Sequence, residues 1–225
     1  ENERVVDPLS SQRASLLGPG FDQDEIRAFL DEQGATYRYF EDEDGLLDRV
    51  VELIDTENVV GWFQDRMEFG PRALGSRSII GDARSERMQS IMNRKIKFRE
   101  SFRPFAPSVL EEKAGDYFDL DTPSPYMLLV APVAASKQLK ISADEQSVQE
   151  SGDLRARVHI KRSEVPAITH IDYSARVQTV DGGRYGRYYR LLQRFDERTA
   201  CPVIINTSFN IRGEPIVCAP ADAYR

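Results

Sequence analysis

Eight short runs rich in β-branched and aromatic residues punctuate this chain: NVVGWFQ, SRSIIGD, APSVL, YMLLVAPV, RARVHIK, AITHID, ARVQTV and PVIINTSF. Runs of this length, bounded by Gly, Pro, Asn and Asp, read as strands. Helical patterns fall between them unevenly rather than after every strand, which predicts a mixed α/β sheet of the α+β type flanked by helices instead of a repeating βαβ series. With 225 residues, 40% of them hydrophobic, the chain can fill one good core, and a second full domain would be crowded.

The helical patterns carry their own punctuation. FDQDEIRAFLDEQG places Asp22 as N-cap and Glu25 at capping-box spacing, with Gly34 as a stop. GLLDRVVELID predicts a second helix. ARSERMQSIMNRKIKF predicts a third, with Met88, Ile91, Met92 and Ile96 on one face. A Gly-rich turn should precede a helix from about Arg187 to Arg198, and PADAYR opens a last one. Residues 1–20 read as an extended lead-in and 21–225 as the domain. The polar, weakly patterned stretch from Ala134 to about Gly152 is expected to be a mobile excursion between strands. Pro104 and Pro107 place APSVL at an edge or terminal position of the sheet. Residues 1–57 carry sixteen acidic residues against five Arg and no Lys, which reads as a solvated helix face.

Charge is segregated. The formal net charge is −7, yet Arg66 to Arg103 holds ten Lys and Arg against four acidic residues. A cationic cluster inside an acidic protein points to a local pocket for a small polyanion, and guanidinium forks fit phosphate oxygens in pairs. A sequence pI near 5.1 argues against bulk nucleic acid as a partner. Cys201 and Cys218 lack CxxC or Cys/His spacing, which argues against a disulfide framework or a zinc site and for two buried thiols in a reducing compartment. No apolar run suits a bilayer, and ENERVVDPLSSQR lacks the features of a signal peptide, so a cytoplasmic location without membrane contact is expected. A start without Met and a stop inside PADAYR suggest a piece of a longer protein. HExxH, GxSxG, GxxxxGK[ST] and CxxC motifs are missing, so zinc hydrolase, serine hydrolase and P-loop chemistries lose their main support.

Four places could carry chemistry. FGPRALG, residues 69–75, presents Arg72 from a loop shaped by Gly70, Pro71 and Gly75. IKFRESFRPFAP spaces Lys97, Arg99 and Arg103 around three phenylalanines with only Glu100 for relief, and cations buried that way need a counter-charge such as a bound phosphate. INTSFNIRGEP, residues 205–215, runs a strand straight into Asn206, Thr207, Ser208, Asn210 and Arg212, the kind of strand end where α/β proteins place ligands. Arg176 lies inside a predicted strand, unremarkable facing solvent and costly facing the core without an anion. His170 with Asp172 could serve as acid and base, although a structural hydrogen bond is the commoner role of such a pair, and His159 has less claim.

GWFQDRMEFGPRALGSRSIIGDAR, NRKIKFRESFRPFAPSVL, SPYMLLV, DYSARVQTV and INTSFNIRGEPIV, in this order, resemble the C-terminal domain of the NodU/CmcH/TobZ family of O-carbamoyltransferases over about residues 58–222. The resemblance implies a YrdC-like twisted mixed sheet with an open, concave, basic site. It implies that this domain takes carbamoyl phosphate and ATP and makes carbamoyl adenylate. An actin-like ATPase-type N-terminal domain, outside this sequence and bearing a His-ligated iron, would then pass the carbamoyl group to a hydroxyl, so the fragment alone should not complete transfer. Lys97, Arg103 and Arg176 match the family's carbamoyl phosphate ligands, and Asn206 and Ser208 match the pair that orients the carbamoyl end and nucleotide, with Thr207 between them. Arg72, Arg77 and Arg212 lie in family blocks as phosphate contacts. Magnesium would arrive on the nucleotide, with no protein-borne metal site.

Two other classes stay open on sequence grounds. One is an RNA-binding module, since YrdC relatives handle tRNA; the other is a nucleotide-sensing domain without catalysis.

Overall fold

Six strands form one open mixed sheet in the computed structural model, which describes residues 12–100, 103–158 and 160–225. They are β1 (Val60–Phe63), β2 (Arg77–Asp82), β3 (Ala106–Leu110), β4 (Leu129–Pro132), β5 (Ser174–Val180) and β6 (Val203–Ser208), in the spatial order β1-β2-β6-β3-β5-β4. Every neighbouring pair is antiparallel except β3 with β5. The central strands are covered on both faces, which is why SIIG and VII read as unbroken apolar runs. Asn206 sits at the middle of the sheet, opposite Ile80 on one side and Ala106 on the other.

The described helices are α1 (Gln23–Glu32), α2 (Glu43–Asp55), α3 (Met88–Ile91), α4 (Ala114–Tyr117), α5 (Ala143–Glu150), α6 (Leu154–Val158), α7 (Gly182–Thr199) and α8 (Pro220–Tyr224). The capping box of α1 forms as its sequence requires, with Glu25 N–H donating to Asp22 Oδ1 at 2.9 Å and Asp22 N–H to Glu25 Oε2 at 2.8 Å. Helix α7 buries Tyr185, Tyr188, Leu191, Leu192 and Phe195 against the sheet, and α2 packs beside it through Leu47, Val50, Val51 and Ile54. From residue 12 onward the lead-in lies along 66–69, where Met67 N–H donates to Pro19 O at 2.8 Å and Gly18 N–H to Met67 O at 2.9 Å.

Several expected elements take another form. RARVHIK contributes to helix α6 rather than a strand, its start held by Asp153, whose Oδ1 accepts from Ala156 N–H at 3.2 Å. AITHID is a 3-10 turn, Pro166–Ile168, running into a reversal in which His170 N–H donates to Ser174 O. Asp181 caps a first turn at Gly183 and Arg184 N–H, both at 3.0 Å, and the backbone then breaks at Gly186 (φ +42°), so the regular part of α7 begins at about Arg187, after a Gly-rich turn as the sequence predicts. The polar stretch after Val133 contains α5, with a second capping box between Ser142 and Glu145. Strand β3 is interior, not at an edge: Pro107 lies opposite Ile205 of β6, while pairing to β5 begins only at Ser108, so its missing N–H falls before that ladder starts.

The third helix is the most consequential departure. Only four residues of α3 are α-helical before the chain widens into a π-helical turn, Met92–Ile96. Lys97 N–H then donates to Met92 O at 2.9 Å and Arg99 N–H to Asn93 O at 3.0 Å. Met88 and Met92 are buried, and the extra residue in the turn carries Lys97 and Arg99 round toward the end of β6. No described helix is long and apolar enough to cross a membrane.

Candidate anion-binding site

The FGPRALG loop is wound around a buried carboxylate. Glu68 is 3% exposed, and its Oε1 accepts backbone N–H groups from Leu74 (2.6 Å), Ser76 (2.8 Å) and Arg77 (3.3 Å). Trp62 Nε1 donates to Gly75 O at 2.9 Å. Gly75 has φ +109°, and a Cβ there would stand 2.3 Å from the Tyr188 ring. Its small size therefore serves close packing on α7, and the fixed loop projects Arg72 over the end of β6.

A second scaffold positions the other cations. Asn93, fully buried in the π turn, accepts from Arg99 Nε at 2.6 Å through Oδ1 and donates to Arg103 O at 2.8 Å through Nδ2. Arg99 also lies over the Phe105 ring, 4.8 Å from its centroid. A third scaffold runs through the sheet. Tyr188 Oη donates to Ser108 Oγ at 2.9 Å, Ser108 Oγ donates to Gln178 Oε1 at 2.6 Å, and Asn206 Nδ2 donates to the same Oε1 at 2.8 Å and to Ala73 O at 3.2 Å.

Three scaffolds converge on two adjoining cavities. The first, about 160 Å³, is lined by Arg72, Arg99, Arg176, Asn206, Thr207 and Ser208 with Phe105 and Met127, and none of the described residues lining it is acidic. Arg72 Nε, Arg176 Nε and Asn206 Oδ1 are buried without a hydrogen-bond partner. Burial and the nearby Arg72 charge lower the pKa of Arg176; burial and Arg103 do the same to Arg99. The second cavity, about 250 Å³, shares Arg99 and Ser208 with the first and adds Lys97, Arg103, Asn210 and Arg212, with Glu100 as its one acid. Pro104 joins the first cavity to a third of about 490 Å³, lined by Gln89, Gln149, Val158, Arg162 and Ile171 among others.

Lys97 sits between cavity and scaffold. Its Nζ donates to Ser208 O, to Asn210 O at 3.0 Å and to Asn210 Oδ1 at 2.8 Å. Burial, then the Arg99 charge, push its pKa down to about 7, while the oxygens around it all accept and favour the ammonium form.

The residues singled out in the sequence divide accordingly. Arg72, Arg176, Asn206, Thr207 and Ser208 meet in the first cavity, and Lys97, Arg103, Ser208 and Arg212 meet in the second. Arg103 is largely solvent-exposed and pairs with Glu100 at 3.2 Å, so the buried cation of that segment is Lys97, with Arg99 half-buried beside it. Arg77 lies in neither cavity. It is fully buried, stacks 3.6 Å over the Phe63 ring and spends its guanidinium on the carbonyls of Gln64, Asp65, Ser76, Pro19 and Cys218, tying the chain together instead of facing a ligand. His170 and Asp172 do not bond each other; both meet Ser174, at 3.3 and 2.7 Å. His159, Ser101 and Phe102 lie outside the described residues. Glu68, Asn93 and Gln178 went unsingled in the sequence, where an acid, an amide in a helix and an amide in a strand look ordinary. Among the described residues no three His, Cys, Asp or Glu form a set that could hold a metal ion.

Residues 51–225 match the family model described as the carbamoyltransferase C-terminus. The chain belongs to the carbamoyltransferase family. It is 54% identical over its whole length to an uncharacterized protein of Synechocystis, of which it covers 36%. Over 80% of its length it is 40% identical to the nodulation protein NolNO of Sinorhizobium fredii, covering 23% of that protein, and over 74% it is 35% identical to nodulation protein U of the same species, covering 25%. The chain thus spans about a quarter to a third of the relatives it matches, in keeping with a C-terminal carbamoyltransferase domain. Both cavities fall within the matched residues, so the acid-free cleft is part of the carbamoyltransferase domain proper.

Proposed function

We propose that this domain binds carbamoyl phosphate and ATP and joins them into carbamoyl adenylate, the activation half of carbamoyl transfer. One observation carries the reading. A buried acceptor with no partner, Asn206 Oδ1, belongs to a residue that lines a cavity walled by three arginines and, among the described residues, no acid. An anion with no donor, such as sulfate, would satisfy the arginines and leave that acceptor stranded, at a cost of ~1–3 kcal/mol. Carbamoyl phosphate carries phosphoryl oxygens for Arg72, Arg99 and Arg176 and an amide N–H for Asn206 on the same small molecule.

The reaction balances with these parts. Water cleaves carbamoyl phosphate to carbamate and inorganic phosphate; a carbamate oxygen then attacks the α-phosphorus of ATP, forming the carbamoyl–AMP bond while pyrophosphate leaves. Such transfers need positioning and charge neutralisation more than covalent help. Ser208, shared by both cavities, lies where the two substrates meet, and the Lys97, Arg103 and Arg212 cavity receives the departing polyphosphate. The larger cavity beyond Pro104, where Val158 and Ile171 stand beside the Gln89 and Gln149 amides and the polar Arg157, Arg162, His170 and Asp172, has the room and the hydrogen-bonding groups for the nucleoside. Magnesium travels on the ATP.

Mixing the protein with ATP and carbamoyl phosphate should release pyrophosphate only when both substrates are present, and Arg176→Ala should suppress the release. Nucleotide binding without pyrophosphate release would make the domain a sensor and sink the proposal.

A further inference from the structure

Strand β4 borders the first cavity and is unusually open. It is an edge strand, paired only to β5, with Val130 opposite Arg176 and Met127 just before it in the cavity wall. Leu128 is 67% exposed and Val130 62%, and Leu129 between them is exposed as well. Successive residues of a strand point to opposite faces, so apolar side chains stand uncovered on both sides of the sheet edge. Among the described residues the edge is closed at its far end alone, where Asp119 N–H donates to Pro132 O at 2.9 Å.

Other large apolar side chains stand exposed beside the cavity linings. Phe69 precedes the Arg72 loop at 76% exposure, Phe98 lies between Lys97 and Arg99, and Ile211 lines the second cavity next to Arg212. Scattered exposed aliphatics need no explanation, but an apolar edge and collar around a cationic cleft mark an interaction surface.

We infer that the β4 edge, Leu128–Val130, with the collar of Phe69, Phe98 and Ile211, is the seat of the further polypeptide that the family's longer members carry. The choice of occupant rests on length. The relatives hold this domain in only 23–36% of their chains, so most of each molecule lies beyond it and must pack somewhere. A cover on these residues would shield the cleft from water as well as bury the apolar edge. The inference needs only the relatives' lengths and the exposed side chains, and it stands or falls independently of the carbamoyl reading.

Carbene footprinting with a diazirine probe tests it on the 225-residue chain and on an intact relative. In this 225-residue chain, the peptides holding Phe69, Phe98, Leu128–Val130 and Ile211 should label heavily at all protein concentrations. In the intact Synechocystis relative the matching peptides should label at least tenfold less, while peptides from α1 label alike in both. Equal labelling in the two proteins would overturn the assignment. Protection that appears in this chain alone as its concentration rises, with dimers in sedimentation velocity, would overturn it in favour of a second copy. As a further check, Leu128→Lys with Val130→Lys should leave the short chain's thermal midpoint unchanged, since both side chains are exposed. The matching pair in the long relative should restore labelling of the collar, and failure to do so would also count against the inference.

Discussion

At the scale of single residues, the site depends on side chains that bind nothing themselves. Glu68 gathers three N–H groups of the Arg72 loop, so Glu68→Ala strands buried donors. A loss of about 2–4 kcal/mol in urea unfolding is expected, with weaker carbamoyl phosphate binding from the misplaced Arg72. Lys97 makes a pH prediction with a definite sign. Its folded pKa, about 7, lies below the ordinary lysine value of 10.5, so between those limits the unfolded chain holds more protons on this group. Stability from this residue should therefore rise as pH climbs from about 7 toward 10, and Lys97→Met should flatten that rise in denaturation curves. Anion affinity should move the opposite way, falling as the ammonium is lost, and again not in Lys97→Met. The cations and the polar triplet Asn206–Ser208 were legible because short polar residues at a strand end and unrelieved Arg residues are unusual on chemical grounds. Arg77 looked the same in sequence as Arg72, five residues earlier. What separates them is whether carbonyls or a cavity surround the guanidinium, and only the fold decides that.

At the scale of elements, α2 and α7 are laced by charge. Arg187 and Arg190 reach Glu43, Arg190 and Arg194 reach Asp44, Arg194 reaches Asp48 and Arg198 reaches Asp55. The acidic residues of the first part of the chain are thus one side of an interhelical ladder as well as a solvated face. Hydrogen bonding to Arg190 lowers the Asp44 pKa and hydrogen bonding to Arg198, then Arg84, lowers that of Asp55. The ladder's contribution is present above the unfolded carboxylate range and disappears as pH falls through the depressed folded values. Each exposed pair is worth little, so Arg194→Ala should barely move the midpoint of chemical denaturation, and less still in molar salt. Gly75→Ala is expected to be far worse, because the added Cβ meets the Tyr188 ring at 2.3 Å on a backbone at φ +109°; thermal melting should show a large drop. Element types were readable where a periodic apolar face met a cap, as in α1, α2 and α7. They were misread where runs were short: RARVHIK alternates as a strand would, yet Asp153 starts a helix there, and the π turn after Ile91 has no signature in apolar spacing.

At the scale of the whole molecule, the segregated charge of the sequence becomes a cleft. An acidic protein folds its basic segment, Arg66 to Arg103, across the end of β6, and Arg176 arrives from a strand two places away. The mixed sheet followed from the spacing of the short apolar runs and a local basic pocket from the charge pattern, while the meeting of Arg176 with the Asn206–Ser208 strand end was implied only by the family resemblance. The split into two cavities sharing Ser208 followed from none of these, since it depends on where Lys97 is anchored. The central claim is that the arginines hold a phosphoryl group while Asn206 Oδ1 takes an N–H from the same ligand. Acetyl phosphate has the same charge and shape with a methyl in place of the amide. Titration calorimetry of both ligands at pH 7 tests the claim most directly: carbamoyl phosphate should bind at least tenfold more tightly, and Arg176→Ala should weaken it by about 2–5 kcal/mol. Equal affinity for the two phosphates, or an Arg176→Ala variant that binds as well as the parent, would contradict it.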